Sequence, residues 1–174
     1  MLRFRISKYD PRLRDNQGRY LKPEWTSISD IGRTFAGEVL TAEAYLKVED
    51  AYVVAIRDFL SACQIDLVRV TDLETRADLS SDCDRLTLAA RGVSLSDVQA
   101  LREGALIPVE TLEPVLRAAL RELIWFRLSG RDGGYVHFGY DYYVYFGCEI
   151  DPGEVTLTEP PADLFREAFT SPYA

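Results

Sequence analysis

The residues with the greatest chemical potential lie in one aromatic segment, 135–147, which reads YVHFGYDYYVYFG. It contains His137, the only imidazole of the chain, and Asp141 four positions later. A histidine oriented by a carboxylate is an effective general base near neutral pH. Four extended residues separate their α-carbons by about 13 Å, which is too far for a direct hydrogen bond unless a bulge shortens the path. A structural or interface role for His137 is therefore favoured over a catalytic one.

No recognisable nucleophile accompanies this histidine. The chain has no Gly-x-Ser-x-Gly elbow, and Cys63, Cys83 and Cys148 lie far apart without a Cys-x-x-Cys pair. An odd number of separated cysteines favours buried reduced thiols over a disulfide framework or a zinc site. We therefore expect no catalytic residue, no metal and no cofactor, and the sequence leans away from an enzyme without excluding one.

The aromatic segment has two faces if residues 135–146 form one unbroken strand. One face is apolar and is expected to pack in the core: Val136, Phe138, Tyr140, Tyr142, Val144 and Phe146. The other is polar and is expected to be exposed: Tyr135, His137, Gly139, Asp141, Tyr143 and Tyr145. Gly139 in mid-strand suggests a bulge, and a bulge re-aims every side chain from Tyr140 onward.

Asp141 is an unusual residue for an aromatic strand, because aspartate is depleted in strands and an unpaired buried carboxylate is costly. It is expected either to be exposed or to have a dedicated partner. Arg127 on the neighbouring predicted strand, or Arg3 and Arg5 on the first one, are the candidates for that partner.

The charge balance limits the classes of partner. The 174 residues contain 20 Lys and Arg against 28 Asp and Glu, a formal net charge of -8. This field repels phosphate backbones and anionic lipids, so no nucleic-acid or membrane partner is expected and a basic protein is favoured. The basic run between Arg3 and Lys22 is interrupted by acidic residues. With no signal-peptide core and no apolar run of roughly 20 residues, a cytoplasmic location is expected.

The elements that must position these residues indicate a single α+β domain over 1–174. We expect one mainly antiparallel sheet with a central aromatic hairpin, packed by one long helix and two or three shorter ones. The expected strands are 2–9, 65–70, 123–128, 135–146 and 154–158, with a Gly-rich hairpin linker at 129–134. A long loop is expected at 12–23, and a last helical turn at 162–169.

The first helix, 42–63, is the clearest element. Thr41 is placed to cap its N-terminus, and apolar residues recur at three- and four-residue steps. Its acidic residues Glu43, Glu49 and Asp50 lack metal-binding spacing, so a solvated face is expected. Two shorter helices are expected, one opened by a Ser-x-x-Gln capping box at Ser96 and one spanning 109–121.

Two segments resemble a family of small bacterial proteins of unassigned activity. They are residues 24–32, EWTSISDIG, and residues 136–145, VHFGYDYYVY, which flank a similar first helix. The likeness spans most of the chain. In its small size and its Tyr- and Asp-rich acidic character, the chain is also similar to the immunity proteins that protect bacteria from polymorphic toxins. That similarity implies a protein partner but assigns no residue by position.

The sequence therefore favours an acidic protein-binding module, an immunity-type inhibitor that occludes a basic toxin or effector domain. Tyr and Trp anchors with complementary charge are typical of such surfaces. The predicted partner-binding residues are Trp25, Asp30, His137, Asp141, Tyr143 and Tyr145. The alternative is a small-ligand-binding or enzymatic domain that uses a His137/Asp141 pocket beneath the loop at 10–34. Either a monomer or a homodimer is compatible with the sequence.

Overall fold

The computed structural model describes residues 1–75, 93–151, 155–161 and 163–173. Within them the chain is α+β, with a seven-stranded antiparallel sheet, a separate two-stranded ribbon and three α-helices, which confirms the predicted fold class. The strands are β1 (Leu2–Ser7), β2 (Thr34–Phe35), β3 (Glu38–Val39), β4 (Leu67–Thr75), β5 (Leu106–Pro108), β6 (Ile124–Ser129), β7 (Tyr135–Phe138), β8 (Val144–Cys148) and β9 (Phe165–Ala168). The helices are α1 (Ala42–Ala62), α2 (Leu95–Ala100) and α3 (Glu113–Leu120). None of them is long and apolar enough to cross a membrane.

The strands of the large sheet run in the order β5-β4-β6-β7-β8-β1-β9, so β7 lies at its centre. Val136 of β7 pairs with Leu128 on one side and Phe146 on the other, and all three are fully buried against the helices. His137 pairs with Arg127 and Tyr145, which places these three on the opposite, outer face.

The predicted unbroken strand 135–146 is wrong, because the chain reverses direction at residues 139–143. The amide of Gly139 donates to the carbonyl of Tyr143 at 2.7 Å, and the amide of Tyr143 donates to the carbonyl of Tyr140 at 3.1 Å. Asp141 and Tyr142 between them have φ of 54° and 61°, the positive values that a type I′ turn requires. Gly139 thus begins a hairpin turn rather than a bulge.

The long helix α1 packs across the inner face of the sheet. The Thr41 hydroxyl accepts a hydrogen bond from the amide of Ala44 at 3.1 Å, which confirms the predicted cap. Phe59 of this helix meets Phe4 and Phe146 in a three-ring cluster, with Phe4 stacked on Phe146 at 4.9 Å and Phe59 edge-on to Phe146 at 5.0 Å. Such aromatic pairs add to the stabilisation that burial of the rings provides.

The acidic face predicted for α1 is wrong at Glu49, whose side chain is fully buried. Arg121 donates from Nε to Glu49 Oε2 at 2.8 Å, and Arg117 donates from Nη1 to Glu49 Oε1 at 2.6 Å. A carboxylate tolerates burial when it is paired and hydrogen-bonded in this way. The network ties α1 to the end of α3, which leads into one wall of the site described below.

The C-terminal part of the chain departs most from expectation. The helical turn predicted at 162–169 is wrong, because β9 forms there and pairs with β1, with Ser7 opposite Phe165. The backbone edge of β1 offers hydrogen-bonding partners that a short helix lacks. Residues 155–158 are not a strand, and Glu154 lies outside the described residues.

The shorter helices also differ in detail. Helix α2 begins at Leu95, one residue before Ser96, so the predicted capping box is not formed. The helix predicted at 109–121 is divided into a 3-10 turn, Val109–Thr111, followed by α3.

Two cysteines are buried free thiols, as predicted. The sulfur atoms of Cys63 and Cys148 lie 3.2 Å apart, and burial raises the pKa of Cys63 to about 12. Cys83 lies outside the described residues.

Candidate functional site

A cavity of about 480 Å³ opens beside the tip of the β7–β8 hairpin. Residues 138–144 form one wall, and the end of β4 forms another through Glu74 and Thr75. The end of α3, the residues leading into β6, and the loop at Thr26 and Ser27 complete it. Its volume lies within the range of about 300–1,000 Å³ that is usual for ligand-binding pockets. It is the candidate functional site of the described part of the chain.

The hairpin tip is held rigidly by Tyr142, which turns back into the core and is only 7% exposed. Its hydroxyl donates to the carbonyl of Leu120 at 2.9 Å and lies 3.2 Å from the hydroxyl of Tyr45. Its carbonyl accepts a hydrogen bond from the hydroxyl of Tyr52 at 2.5 Å. Trp25 packs edge-on against its ring at 4.9 Å. Tyr142 is therefore the anchor of the turn.

Tyr140, two residues before the anchor, is 84% exposed at the rim of the cavity. The alternation of an unbroken strand predicts this residue in the core, and that prediction is wrong. Because the turn starts at Gly139, the side chain leaves the sheet and enters solvent. Single exposed apolar side chains are common on protein surfaces, but a tyrosine presented at a fixed loop tip is a typical contact residue.

Three carboxylates line the cavity: Glu74, Glu122 and Asp141. No Lys, Arg or His is among the described residues that line it. The hydroxyl of Ser27 donates to Glu122 Oε2 at 3.0 Å and so fixes this carboxylate. The remaining walls are largely aromatic and aliphatic, so the site combines negative charge with apolar surface.

Glu122 occupies a backbone position where glycine is usual. The amides of Glu122 and Leu123 donate back to the last turn of α3 at 2.9 and 3.0 Å, the pattern of a Schellman motif. The φ of Glu122 is 58°, in the left-handed region that residues with a Cβ seldom adopt. Asp141 and Tyr142 share this conformation, so three strained residues line one cavity. Strained residues tend to cluster at functional sites.

Asp30 and Trp25, both predicted to be exposed partner-binding residues, are buried and support the cavity from behind. The Asp30 carboxylate accepts hydrogen bonds from the amides of Thr26 and Ser27 at 3.0 and 3.2 Å, which fixes the loop that lines the cavity. It also pairs with Arg33 at 3.0 Å.

A buried lysine lies behind Trp25. The Nζ of Lys8 is 4.0 Å from the centre of the Trp25 ring and 3.6 Å from Glu24 Oε1. Burial lowers the pKa of Lys8 to about 8, and the Glu24 carboxylate opposes this shift. The contact is a cation–π interaction that braces the indole from the side of the first strand.

Tyr143 and Asp141 are the two predicted site residues that line the cavity. Asp141 is exposed in the turn, which is one of the two environments predicted for it. The hydroxyl of Tyr143 accepts a hydrogen bond from Arg14 at 2.9 Å, and the Arg5 guanidinium lies 4.9 Å from its ring centre.

His137 and Tyr145 lie on the outer face of the sheet, and the prediction that they are exposed is wrong. The C-terminal segment that follows β9 covers them. The Nδ1 of His137 lies 2.8 Å from the hydroxyl of Ser171, and the ring of Tyr145 packs against Phe169 at 5.7 Å. His137 therefore does not pair with Asp141, and the two do not share a pocket.

The environment of His137 opposes protonation. Burial, together with the nearby Arg127 guanidinium, lowers its pKa to about 4, while Asp72 acts in the opposite direction. Arg127 itself forms an ion pair with Asp72 at 3.3 Å. A neutral, buried imidazole held by a hydroxyl is suited to a structural role rather than to general base catalysis at an accessible site.

Sequence reasoning missed Tyr140, Tyr142, Glu74 and Glu122 as site residues. Gly139 followed by Asp141 was the available signal for a turn, since both types favour turns. Nothing in the sequence indicated that a tyrosine would adopt positive φ or that β4 would extend to Thr75.

No group of three or more His, Cys, Asp or Glu side chains suited to a metal ion is present among the described residues. Comparisons with protein-family models, with curated proteins and with solved structures found no match to this chain.

Proposed function

We propose that this chain is an acidic protein-binding module of the bacterial cytoplasm, an immunity-type inhibitor that occludes a basic toxin or effector domain. The observation that carries the proposal is the hairpin tip, where Tyr140 is 84% exposed beside a cavity lined by three carboxylates. Tyrosine is among the residues that contribute most to the affinity of protein interfaces. The similarity of character to immunity proteins supports the same function.

The rigidity of the tip favours tight binding. Because the ring of Tyr142 is fixed in the core by Leu120 and Tyr45, the neighbouring Tyr140 is presented on a turn with little backbone freedom. A contact residue that is already ordered before association loses less conformational entropy on binding.

Charge supports a basic partner. The net charge of -8 and the carboxylates at the tip attract a cationic surface and raise the association rate at low ionic strength. An inhibitor that must reach a toxin before its target does benefits from this acceleration.

The experiment is a binding measurement with a basic toxin domain encoded beside this chain. Calorimetry is expected to show a one-to-one complex, and Tyr140→Ala is expected to weaken it at least about tenfold. Leu106→Ala is the control, since Leu106 is 54% exposed and pairs with Arg69, at the end of β4 opposite to the cavity-lining Glu74 and Thr75. Equal affinities of the parent chain and Tyr140→Ala would remove the hairpin tip from the interface.

A small-ligand-binding or enzymatic domain is the alternative, and the volume of the cavity favours it. It does not use the predicted His137/Asp141 pair, because Asp141 lines the cavity whereas His137 is buried against Ser171 and does not. Filling the cavity with Ala119→Phe separates the two functions. If the chain is a ligand-binding domain, Ala119→Phe is expected to abolish ligand binding and Tyr140→Ala to leave it intact. If the chain is a protein-binding module, Tyr140→Ala is expected to weaken binding of the partner.

A further inference from the structure

We infer that the cavity beside the hairpin tip receives an arginine-bearing segment of the protein partner. This inference rests on the proposed function and deepens it, because it names the part of the partner that enters the site. It follows from the charge of the cavity, from its aromatic walls and from its size.

Two carboxylates of the cavity, Glu74 and Asp141, are available to an external cation. Glu74 and Asp141 have no basic side chain within ion-pair distance among the described residues. Lys8, whose charge interacts with Asp141, lies 3.6 Å from Glu24, while Arg127 pairs with Asp72 at 3.3 Å and Arg14 with Glu167 at 3.5 Å. A cation from outside therefore has carboxylates to bind at Glu74 and Asp141, in a cavity that no described basic side chain lines.

The aromatic walls favour a guanidinium over an ammonium group. Trp125 lines the cavity, and its indole N–H donates to the carbonyl of Phe138 at 2.8 Å, which fixes the ring. Tyr140 stands at the rim. A planar guanidinium stacks on aromatic rings and binds carboxylates with two parallel hydrogen bonds, whereas an ammonium is compact and strongly hydrated.

The size of the cavity favours a segment over a single ion. A volume of about 480 Å³ exceeds what one arginine head group fills, so apolar neighbours of that arginine have room against Leu120 and Ile124. The mixed lining of carboxylates and apolar side chains matches a partner segment in which arginine stands beside an aliphatic residue.

A blocked pentapeptide, acetyl-Ala-Leu-Arg-Leu-Ala-amide, is the probe, and NMR titration of the full chain is the measurement. We expect a saturable shift of the Trp125 indole N–H, and binding weakened at least about fivefold when citrulline replaces arginine, because citrulline keeps the shape and removes the charge. Lysine is expected to bind more weakly than arginine. Raising the salt concentration is expected to weaken the arginine peptide and not the citrulline one.

Carboxylate variants locate the binding. Glu122→Gln and Glu74→Gln are each expected to weaken binding of the arginine peptide several-fold. Glu110→Gln is the control: it removes the same charge at the other end of the β4 region and is expected to leave the affinity unchanged. Equal binding of the arginine and citrulline peptides, or the absence of a saturable shift at Trp125, would refute the inference.

The outcomes also separate this inference from the proposed function. If the basic domain binds in a way that depends on Tyr140 but the arginine peptide does not bind, only the assignment of the cavity is overturned. Binding of the peptide without binding of any neighbouring basic domain supports the cation site and overturns the inhibitor function.

Discussion

Two tyrosine-rich regions of this molecule have nearly the same composition and opposite environments. At the hairpin tip, Tyr140 and Asp141 are exposed beside a cavity. On the outer face of the sheet, His137 and Tyr145 are buried beneath the C-terminal segment. The two regions differ in whether another segment covers them. The segment after β9 packs over the outer face, and no described residue covers the hairpin tip.

Charge follows the same division. Two cations of the outer face are paired, Arg5 with Glu167 at 3.1 Å and Arg127 with Asp72 at 3.3 Å. The carboxylates of the cavity face a volume that contains no described basic group. A covered region whose cations are paired supports the fold, whereas an open acidic cavity is suited to a partner.

The largest expected effect tests whether the tip is anchored through Tyr142. Tyr142→Ala removes a buried ring and its hydrogen bonds, so the free energy of unfolding is expected to fall by about 3–5 kcal/mol in chemical denaturation. Tyr140→Ala, two residues away, is expected to change it by less than about 0.5 kcal/mol. Similar losses for both variants would show that the tip does not divide into an anchor and a contact residue.

The second effect tests the covered face through pH. His137 has a pKa of about 4 in the folded protein, below its usual 6.5, so between these values the unfolded chain binds a proton that the folded chain does not. Its contribution to stability is complete above pH 6.5 and is lost as the pH falls toward 4, by about 2–3 kcal/mol. Denaturation at stepped pH measures this loss, which His137→Gln is expected to abolish.

Removal of the C-terminal segment is the control for this effect. A chain ending at Phe169 lacks Ser171 and Tyr173, so the imidazole becomes exposed and its pKa is expected to return toward 6.5. NMR titration measures the pKa of this imidazole directly, because the chain has one histidine. A pKa that stays near 4 in the shortened chain would mean that the segment is not what buries His137.

The third effect tests whether strain at the cavity has a functional origin. Glu122→Gly relieves a positive φ and is expected to raise the free energy of unfolding by up to about 1 kcal/mol, while the loss of its carboxylate weakens the arginine peptide. Thermal denaturation and the peptide titration are measured on the same variant. A variant that is less stable, or that binds as well as the parent, argues against a glutamate retained for binding.

The smallest effect concerns Asp141. Asparagine is as well suited as aspartate to positive φ in a type I′ turn, so Asp141→Asn is expected to change stability by less than about 0.5 kcal/mol. The affinity for a basic partner is expected to fall, and its dependence on salt to become weaker. Unchanged affinity at low salt would exclude this carboxylate from the interface.

The sequence predicted the elements that local signals define. The helix expected at 42–63 has a cap at Thr41 and a regular apolar period, and it is observed at Ala42–Ala62. The linker at 129–134 joins two antiparallel strands, as its glycines indicated. The alternation of β7 and β8 is also correct, because Val136 pairs with Phe146 and His137 with Tyr145 across the turn.

The site was less predictable, because it depends on contacts between distant parts of the chain. The turn at 139–143 lacks the Asn-Gly pair that usually marks a type I′ turn, and Tyr142 has positive φ with its ring anchored to Leu120 and Tyr45. The burial of His137 depends on Ser171, 34 residues later. A period-2 pattern identifies the outer face of a sheet but not the segment that covers it.

The anchor at Tyr142 has a consequence for how recognition can change. Because the fold depends on Tyr142 and not on the two exposed residues before it, Tyr140 can be exchanged without repacking the core, and Asp141 can be exchanged for residues such as Asn that accept its positive φ. Adaptation to a new partner then requires only substitutions at adjacent positions on an unchanged scaffold. In this sense the hairpin tip is an evolvable element, and libraries randomised at those two positions are a direct route to altered specificity.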